Sequence, residues 1–214
     1  MNPLDPSCAA LLVIDMQNGW CHPEGAMTRA GVNMSAQQAI VPNVRRLIET
    51  CRALGMPILY SIQEHLPEDV TQQRRRIASH LHKRNILPAP RGTWDAELVA
   101  PIKEVARPGD YYIVKHRMSM FYSTTLESVL HMRGITHLVV SGVSTNVCVE
   151  STIRDAYFRD YDITVVEDCV AGTFPVLNQA TLENVRIYFG EVVSLAEFLA
   201  ANAAAPHAAA GGRG

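Results

Sequence analysis

The sequence predicts an α/β fold in which a parallel sheet of six strands is covered by helices on both faces. Apolar, β-branched runs of strand length alternate along the chain with segments of helical periodicity. The strand-like runs are apolar throughout, which is typical of strands buried on both faces. The chain has 214 residues, 48% of them hydrophobic, and can build one substantial core. We therefore expect a single α/β/α domain over residues 1–201.

Six runs are predicted to form the strands, and the first and third end at a charged residue. The predicted strands are residues 8–14, 57–62, 111–114, 137–141, 163–166 and 191–193. The first is a continuous apolar run that ends at Asp15, and the third ends at Lys115. The sixth is the shortest and weakest of the set.

Helices are predicted between the strands from apolar spacing and from residues that favour helix ends. They are expected over residues 42–54, 94–105, 124–133, 148–160, 178–189 and 195–201. Pro42 suits a first turn, Pro101 is expected to interrupt or bend the second helix, and Asn178 is expected to cap the fifth.

Three segments do not have a regular pattern. Residues 17–35 contain several glycines and a proline and are predicted to be a loop. Residues 63–92 are a long polar connection, predicted to be either a lid over a site or a poorly ordered insert. Residues 202–214 are rich in alanine and glycine and are expected to be disordered.

The charge balance argues against nucleic acid and membrane partners. Lys and Arg number 19 against 21 Asp and Glu, so the net charge is -2, and the sequence pI is about 6.4. A chain of this kind has no general attraction for polyanions. The N-terminus also lacks the basic and apolar regions of a signal peptide, and no run approaches membrane-spanning length.

The five cysteines indicate a reducing, cytoplasmic setting. They are scattered, odd in number and include no C-x-x-C pair. This pattern favours neither a disulfide framework nor a zinc site.

One stretch, residues 138–152, combines a buried strand, a Gly-Ser-Thr-Asn turn and a predicted helix start. Cys148 would then lie near a helix N-terminus at the carboxyl end of a strand. Free N–H groups and the helix dipole at such a position favour a thiolate and can stabilise a developing oxyanion. A buried cysteine is also a common core residue, so composition alone leaves both interpretations open.

Asp15 and Lys115 would lie at the same edge of the sheet as Cys148. Ligands of open α/β sheets bind outside the carboxyl ends of the strands. A thiolate can attack a carbonyl, a carboxylate can relay its proton, and an ammonium can stabilise negative charge. Taken singly, Asp15 could cap a turn and Lys115 could be a solvated strand-end lysine. Together with Cys148 they favour a catalytic role for all three residues.

Three motifs in order carry a resemblance to a known family. Leu12-Val13-Ile14-Asp15-Met16-Gln17, then Val114-Lys115 followed by Phe121, then residues 142–149 (Gly-Val-Ser-Thr-Asn-Val-Cys-Val) resemble the isochorismatase-like cysteine hydrolases over about residues 9–199. The resemblance implies a Rossmann-like α/β/α fold and a Cys148-Asp15-Lys115 triad that cleaves amide C–N bonds through a thioester.

The resemblance also implies an oxyanion hole and a special peptide bond. The backbone N–H groups of Ser144 and Cys148 would form the oxyanion hole, and the Val143–Ser144 bond would be a non-proline cis peptide. Family members are usually described with strand order 3-2-1-4-5-6; the sequence itself leaves this order open. Relatives are commonly dimers or tetramers, so a homodimer or homotetramer is expected.

Within the family, the chain looks similar to the ureidoacrylate amidohydrolase and biuret hydrolase branch. Residues 92–95 (Gly-Thr-Trp-Asp), 146–152 and Arg154-Asp155 carry this likeness, whereas the region from Cys21 to Val32 departs from it. The substrate is thus expected to be a small ureido, N-carbamoyl or amide compound. A nicotinamidase, an ether-cleaving isochorismatase and a non-catalytic binding member remain the alternatives.

No metal or other cofactor is expected. Nicotinamidases of the family have an Asp-x-His pattern at the end of the second strand, and the matching residues 61–65 (Ser-Ile-Gln-Glu-His) lack that Asp. The histidines of the long connection, His65, His80 and His82, are therefore interpreted as surface or lid residues. Arg74-Arg75-Arg76 could attract a carboxylate but is more typical of a solvated face.

Five further residues are candidates for contacting the substrate, and for the aromatic ones a core role is the competing interpretation. They are Gln17, Trp20, Phe121, Tyr122 and Tyr157.

Overall fold

The computed structural model describes residues 3–66, 76–77 and 86–203. Six parallel strands form one sheet in the order β3-β2-β1-β4-β5-β6. The strands are β1 Ala9–Ile14, β2 Ile58–Gln63, β3 Tyr111–Lys115, β4 His137–Val143, β5 Asp162–Ala171 and β6 Glu191–Val193. The predicted parallel α/β fold is confirmed, and the strand order that the sequence left open is now defined.

Alternate residues of β1 face two different cores. Ala9, Leu11 and Val13 lie in a cluster with apolar side chains of the helices over residues 41–53 and 195–202. Ala10 and Leu12 lie in a second cluster with side chains from the helices over residues 126–132 and 150–157. Because side chains of a strand alternate between its faces, β1 is buried from both sides and the domain has three layers.

The helices mostly follow the predicted positions. In chain order they are α1 Asn18–Cys21, α2 Ala26–Arg29, α3 Ser35–Ala39, α4 Val41–Ala53, α5 Ala100–Lys103, α6 Leu126–Met132, α7 Glu150–Tyr157, α8 Pro175–Asn184 and α9 Leu195–Asn202. No helix among the described residues is long and apolar enough to cross a membrane.

Prolines and glycines explain where the helix predictions were wrong. The expected loop over residues 17–35 contains the short helices α1 and α2, because its glycines separate helical turns without excluding them. Pro101 lies in the first turn of α5, after a separate 3-10 turn at Trp94–Ala96, so the predicted helix over residues 94–105 is interrupted and not bent. Pro175 likewise begins α8, three residues before the predicted Asn178 cap.

Two predicted boundaries fall partly outside the described residues. The predicted tail includes Asn202, but this residue ends α9, is 3% exposed and accepts a hydrogen bond from the Leu4 N–H. Residues 204–214, for which disorder is predicted, lie outside the described part of the chain. Most of the predicted lid, residues 67–75 and 78–85, also lies outside it.

Candidate active site

The carboxyl edge of the sheet brings Asp15, Lys115 and Cys148 together. Asp15 follows β1, and Lys115 is the last residue of β3. Cys148 lies five residues beyond the end of β4, in a π-helical turn that spans Thr145–Val149. The Cys148 thiol interacts with both the Asp15 carboxylate and the Lys115 ammonium.

Asp15 and Lys115 form a buried ion pair. Lys115 Nζ lies 2.8 Å from Asp15 Oδ2, and the two side chains are 0% and 2% exposed. Such a pair requires good geometry and further hydrogen bonds to offset the loss of hydration. Asp15 adopts a left-handed backbone conformation, with φ at 50°. This turns the chain sharply at the end of β1.

The Lys115 ammonium donates hydrogen bonds to three oxygens. They are Asp15 Oδ2 at 2.8 Å, Gln63 Oε1 at 2.7 Å and the Arg117 carbonyl oxygen at 3.2 Å. An ammonium has three protons, so these acceptors match its donors. Burial opposes the charged form, but the interactions with Asp15 and Cys148 outweigh it, and the pKa of Lys115 is raised. Lys115 therefore acts as a fixed positive charge.

The turn that carries Cys148 is tied to the loop after β3. The Val149 N–H donates to the Ser144 carbonyl oxygen at 3.3 Å, which is the five-residue bond of a π turn. The Thr152 hydroxyl donates to the Cys148 carbonyl oxygen at 2.7 Å and accepts a bond from the Met120 N–H at 3.0 Å. These bonds fix the backbone around the thiol.

Loss of hydration at Cys148 favours the neutral thiol, whereas the sequence predicted a position that favours the thiolate. Burial raises the pKa of Cys148 to about 12; the Lys115 charge lowers this pKa and the Asp15 charge raises it. Here the loss of hydration outweighs the helix N-terminus on which the sequence prediction depended. In addition, α7 begins at Glu150, beyond the cysteine. A proton must therefore leave Cys148 during attack, and the Asp15 carboxylate is the base that it contacts.

The end of β4 has an unusual backbone. The Val143–Ser144 peptide bond is cis, and Gly142 has φ at 112°. A Cβ on Gly142 would lie 2.0 Å from the Ile14 carbonyl oxygen, so only glycine fits against β1 here. Ser144 and Cys148 both line the cavity described next. That their backbone N–H groups form an oxyanion hole remains a prediction.

A cavity of about 1080 Å³ opens over Asp15 and Cys148, and Lys115 is not among the residues that line it. Asp15, Gln63 and Cys148 lie among its polar lining. Apolar side chains from several loops and helices make up much of its wall. They include Trp20, Met27, Met34, Tyr122 and Phe174. Basic side chains also reach it, namely those of His65, Arg76, His116 and Arg117. This volume is at the upper end of small-molecule sites.

The structure separates the predicted substrate contacts into two groups. Trp20 and Tyr122 line the cavity. Gln17, Phe121 and Tyr157 are not among the residues that line it. The Gln17 side chain is fully buried and bonds the backbone of Gln63 and Ala96. Phe121 is 5% exposed and packs on Tyr161, and Tyr157 packs on Phe158 and Phe189. Gln17 and Phe121 are therefore buried structural side chains, and Tyr157, which is 46% exposed, lies outside the cavity lining, so the predicted contacts of these three with the substrate are not supported.

Two polar residues on β2 were missed by the sequence reasoning. Ser61 donates a hydrogen bond to Asp15 Oδ1 at 2.5 Å, and Gln63 accepts one from Lys115. Both are buried, at 0% and 5% exposure. The available signal was the pair of polar side chains two residues apart in an apolar strand, since such residues share one face of a sheet.

The described histidines do not form a metal centre. No group of three or more His, Cys, Asp or Glu residues that could hold a metal occurs in the described ranges. His65 Nδ1 accepts a hydrogen bond from the Ala89 N–H at 3.2 Å, and the ring lies 6.2 Å from that of Trp20. His80, His82, Arg74 and Arg75 lie outside the described residues.

Comparison with known proteins gives one family. A model described as "Isochorismatase domain" matches residues 9–197. The chain is 36% identical over 209 residues to the ureidoacrylate amidohydrolase RutB of Caulobacter segnis, with 92% of this chain and 86% of that protein covered.

Solved structures agree with this match. A cysteine hydrolase from Pseudomonas syringae superposes with a TM-score of 0.76 at 25% identity, covering 94% of this chain and 95% of the other. An N-carbamoylsarcosine amidase from Thermoplasma acidophilum gives a TM-score of 0.68 at 29% identity, with coverage of 87% and 96%.

Proposed function

Because the chain belongs to the isochorismatase family of hydrolases, we propose that it is a cysteine amidohydrolase that acts on small ureido, N-carbamoyl or amide compounds. One observation carries the proposal: a thiol and a carboxylate that line an open cavity contact each other and a buried ammonium. The names of two similar proteins, a ureidoacrylate amidohydrolase and an N-carbamoylsarcosine amidase, support the carbamoyl substrate class.

The first step is attack of Cys148 on the substrate carbonyl carbon. The Sγ–C bond forms as the thiol proton passes to the Asp15 carboxylate, and the carbonyl oxygen becomes an oxyanion. The N–H groups of Ser144 and Cys148 stabilise that oxyanion. Proton transfer during attack is required, because burial keeps the pKa of Cys148 near 12 before substrate binds.

The second step releases the nitrogen product and frees the enzyme. The C–N bond breaks, and Asp15 donates its proton to the leaving nitrogen, which leaves a thioester on Cys148. Water then attacks the thioester carbon and gives a proton to Asp15, and this proton returns to the sulfur as the C–S bond breaks. A carbamoyl group leaves as carbamate, which decomposes to ammonia and carbon dioxide, so ammonia release is the measurable product.

Lys115 contributes charge, not a proton. It stabilises the Asp15 carboxylate in the resting state and a thiolate as this forms. Since its three protons already have acceptors, donation to the leaving group would break a buried hydrogen bond. Asp15 is therefore the residue that shuttles the proton.

The test is a screen for ammonia release from ureidoacrylate, biuret, N-carbamoyl amino acids and nicotinamide, with pyruvate release from isochorismate as the ether-cleavage arm. Cys148→Ser should reduce turnover at least about a thousandfold with an unchanged circular dichroism spectrum. Cys8→Ser, at the start of the sheet and away from the cavity, is the matched control and should retain full activity. Turnover by Cys148→Ser at the wild-type rate would remove the cysteine mechanism.

A binding protein without turnover is the second candidate. The contact among Asp15, Lys115 and Cys148 weighs against it, because binding alone does not require a proton-relaying carboxylate beside a thiol. Absence of ammonia and pyruvate release in every arm of the screen, together with tight binding of a carbamoyl compound, would favour the binding role.

We also propose a homodimer or homotetramer in a reducing, cytoplasmic setting. Five apolar side chains on α8 and in the turns that flank it are 44% exposed or more, and association would cover them. They are Phe174, Val176, Leu177, Ile187 and Tyr188. All five cysteines are free thiols. Light scattering coupled to gel filtration measures the oligomeric state, and a monomeric mass would contradict this part of the proposal.

A further inference from the structure

Two residues of β2, Ser61 and Gln63, contact the charged groups of the site. Ser61 is fully buried and Gln63 is 5% exposed. They lie two positions apart, so their side chains project from the same face of the strand. Ser61 pairs with Ile113 and Gln63 with Lys115 in the register between β2 and β3. β2 lies between β1, which is followed by Asp15, and β3, which ends at Lys115.

Ser61 makes two hydrogen bonds with Asp15. Its hydroxyl donates to Asp15 Oδ1 at 2.5 Å and accepts from the Asp15 backbone N–H at 2.9 Å. Lys115 donates to the other carboxylate oxygen, Oδ2. A donor on each oxygen fixes the plane of the carboxylate. The same hydroxyl also supports the left-handed backbone of Asp15, with φ at 50°.

Gln63 makes the corresponding hydrogen bonds at Lys115. Its Oε1 accepts from Lys115 Nζ at 2.7 Å, and its Nε2 donates to the Glu64 carbonyl oxygen at 3.2 Å. Gln17 clamps the Gln63 backbone from both sides, because it accepts from the Gln63 N–H and donates to the Gln63 carbonyl oxygen, each at 2.9 Å. The amide orientation of Gln63 is thereby set with the oxygen towards the ammonium.

We propose that Ser61 and Gln63 are positioning residues that hold the acid–base pair of the reaction, Ser61 acting through Asp15 and Gln63 acting through Lys115. The inference rests on the proposed function, since it assigns roles within the same reaction. Ser61 keeps the carboxylate aimed at the thiol and stabilises its charged form. Gln63 keeps the ammonium beside the carboxylate as a neutral acceptor, adding no charge of its own to the site.

The first test is Ser61→Ala, with Ser61→Thr as the rescue variant and Ser141→Ala as the matched control. Ser141 is equally buried on β4, and its hydroxyl donates to the Leu12 carbonyl oxygen, outside the site. Ser61→Ala should lower kcat by about 10- to 100-fold with little change in KM.

Ser61→Thr keeps the hydroxyl and should restore kcat to near the wild-type value. Ser141→Ala should leave kcat and KM unchanged. A Ser61→Ala enzyme that folds and keeps the wild-type kcat would overturn the assignment of Ser61. A purely structural role would lower the stability of the variant and leave the kcat of its folded fraction in place.

The second test uses Gln63→Met, with Ser141→Ala as the control, and does not depend on turnover. The rate at which iodoacetamide alkylates Cys148 reports the thiolate fraction in the substrate-free enzyme. Gln63→Met removes the acceptor that holds the Lys115 ammonium near the thiol and should slow alkylation at pH 8 by about threefold or more, whereas Ser141→Ala should match the wild type. A folded Gln63→Met enzyme that is alkylated at the wild-type rate would overturn the role of Gln63. If no substrate in the screen is turned over, the proposed function fails, and this alkylation comparison still decides the positioning role of Gln63.

Discussion

Asp15 and Lys115, 100 residues apart in the chain, meet in a buried ion pair of 2.8 Å. The pair links the ends of β1 and β3, which are separated in the sheet by β2. Its charges act on Cys148 in opposite directions, since Lys115 lowers the pKa of the thiol and Asp15 raises it. The effects of the two charges on the pKa of Cys148 can therefore be distinguished by mutation.

Asp15→Asn should make Cys148 more reactive towards iodoacetamide while abolishing turnover. Loss of the carboxylate charge lowers the pKa of Cys148, because the Lys115 ammonium is then unopposed. Alkylation at pH 8 should rise by about three- to tenfold, and kcat should fall by at least about a hundredfold because the proton relay is gone. The measurement is the rate of thiol modification followed by mass spectrometry, beside the ammonia assay.

Asp162→Asn is the control for that change, because Asp162 is exposed at the start of β5, at the opposite end of the sheet. It should alter neither rate. If Asp15→Asn reduced alkylation, the assignment of opposing effects to the two charges would be wrong.

Gly142→Ala should disrupt the end of β4. Gly142 has φ at 112°, and an added Cβ would lie 2.0 Å from the Ile14 carbonyl oxygen. Backbone strain and the steric clash together should lower the free energy of unfolding by about 3 kcal/mol or more. Urea denaturation followed by circular dichroism measures this difference.

Gly134→Ala provides the comparison for Gly142→Ala. Gly134 also has positive φ, at 65°, but nothing lies within 4 Å of the position that a Cβ would take there. It should lose only about 1–2 kcal/mol, from backbone strain alone. Equal losses in the two variants would show that contact with β1 is unimportant.

The sequence predicts the fold and the position of the three reactive residues because both depend on local patterns. Apolar runs define β1 to β5, and Asp15 and Lys115 stand where two of those runs end. The strand order could not be derived from the residues, because parallel pairing depends on contacts between segments far apart in the chain. The likeness to a known family supplied an order that the structure matches.

The predicted thiolate of Cys148 and three of the substrate contacts depended on information that the sequence does not contain. Burial of the thiol follows from side chains on several elements, and burial is what raises its pKa to about 12. Gln17 and Phe121 lie beside residues of the site in sequence, but their side chains point into the protein. Ser61 and Gln63 were overlooked because their role depends on hydrogen bonds to Asp15 and Lys115, which the sequence does not show.

Removal of metal ions should leave activity unchanged. Gln63 occupies the strand-end position at which nicotinamidases of the family carry an aspartate, and its Oε1 is committed to Lys115. Prolonged dialysis against EDTA and 1,10-phenanthroline, with metal content measured by mass spectrometry, should give an enzyme with the full rate of ammonia release. The decisive contrary result is loss of activity that zinc or iron restores.

Alkaline pH should destabilise the fold through its buried thiols. Burial raises the pKa of Cys169 to about 12, and that of Cys21 and Cys51 still further, from an ordinary value of 9.0. The folded state therefore holds protons that the unfolded chain releases above about pH 9. The stabilising contribution of each thiol is complete below that pH. It is lost as the pH rises towards 12, by up to about 1.4 kcal/mol per pH unit for each thiol.

Urea denaturation at intervals from pH 7 to pH 11 measures this loss. Cys51→Ala removes one buried thiol, so its free energy of unfolding should fall less steeply above pH 9 than that of the wild type, although it starts lower because of the cavity. Identical slopes for Cys51→Ala and wild type would mean that ionisation of this thiol is not linked to unfolding, and the alkaline loss would then have to come from other groups, such as the buried phenol of Tyr60, whose pKa is also raised by burial.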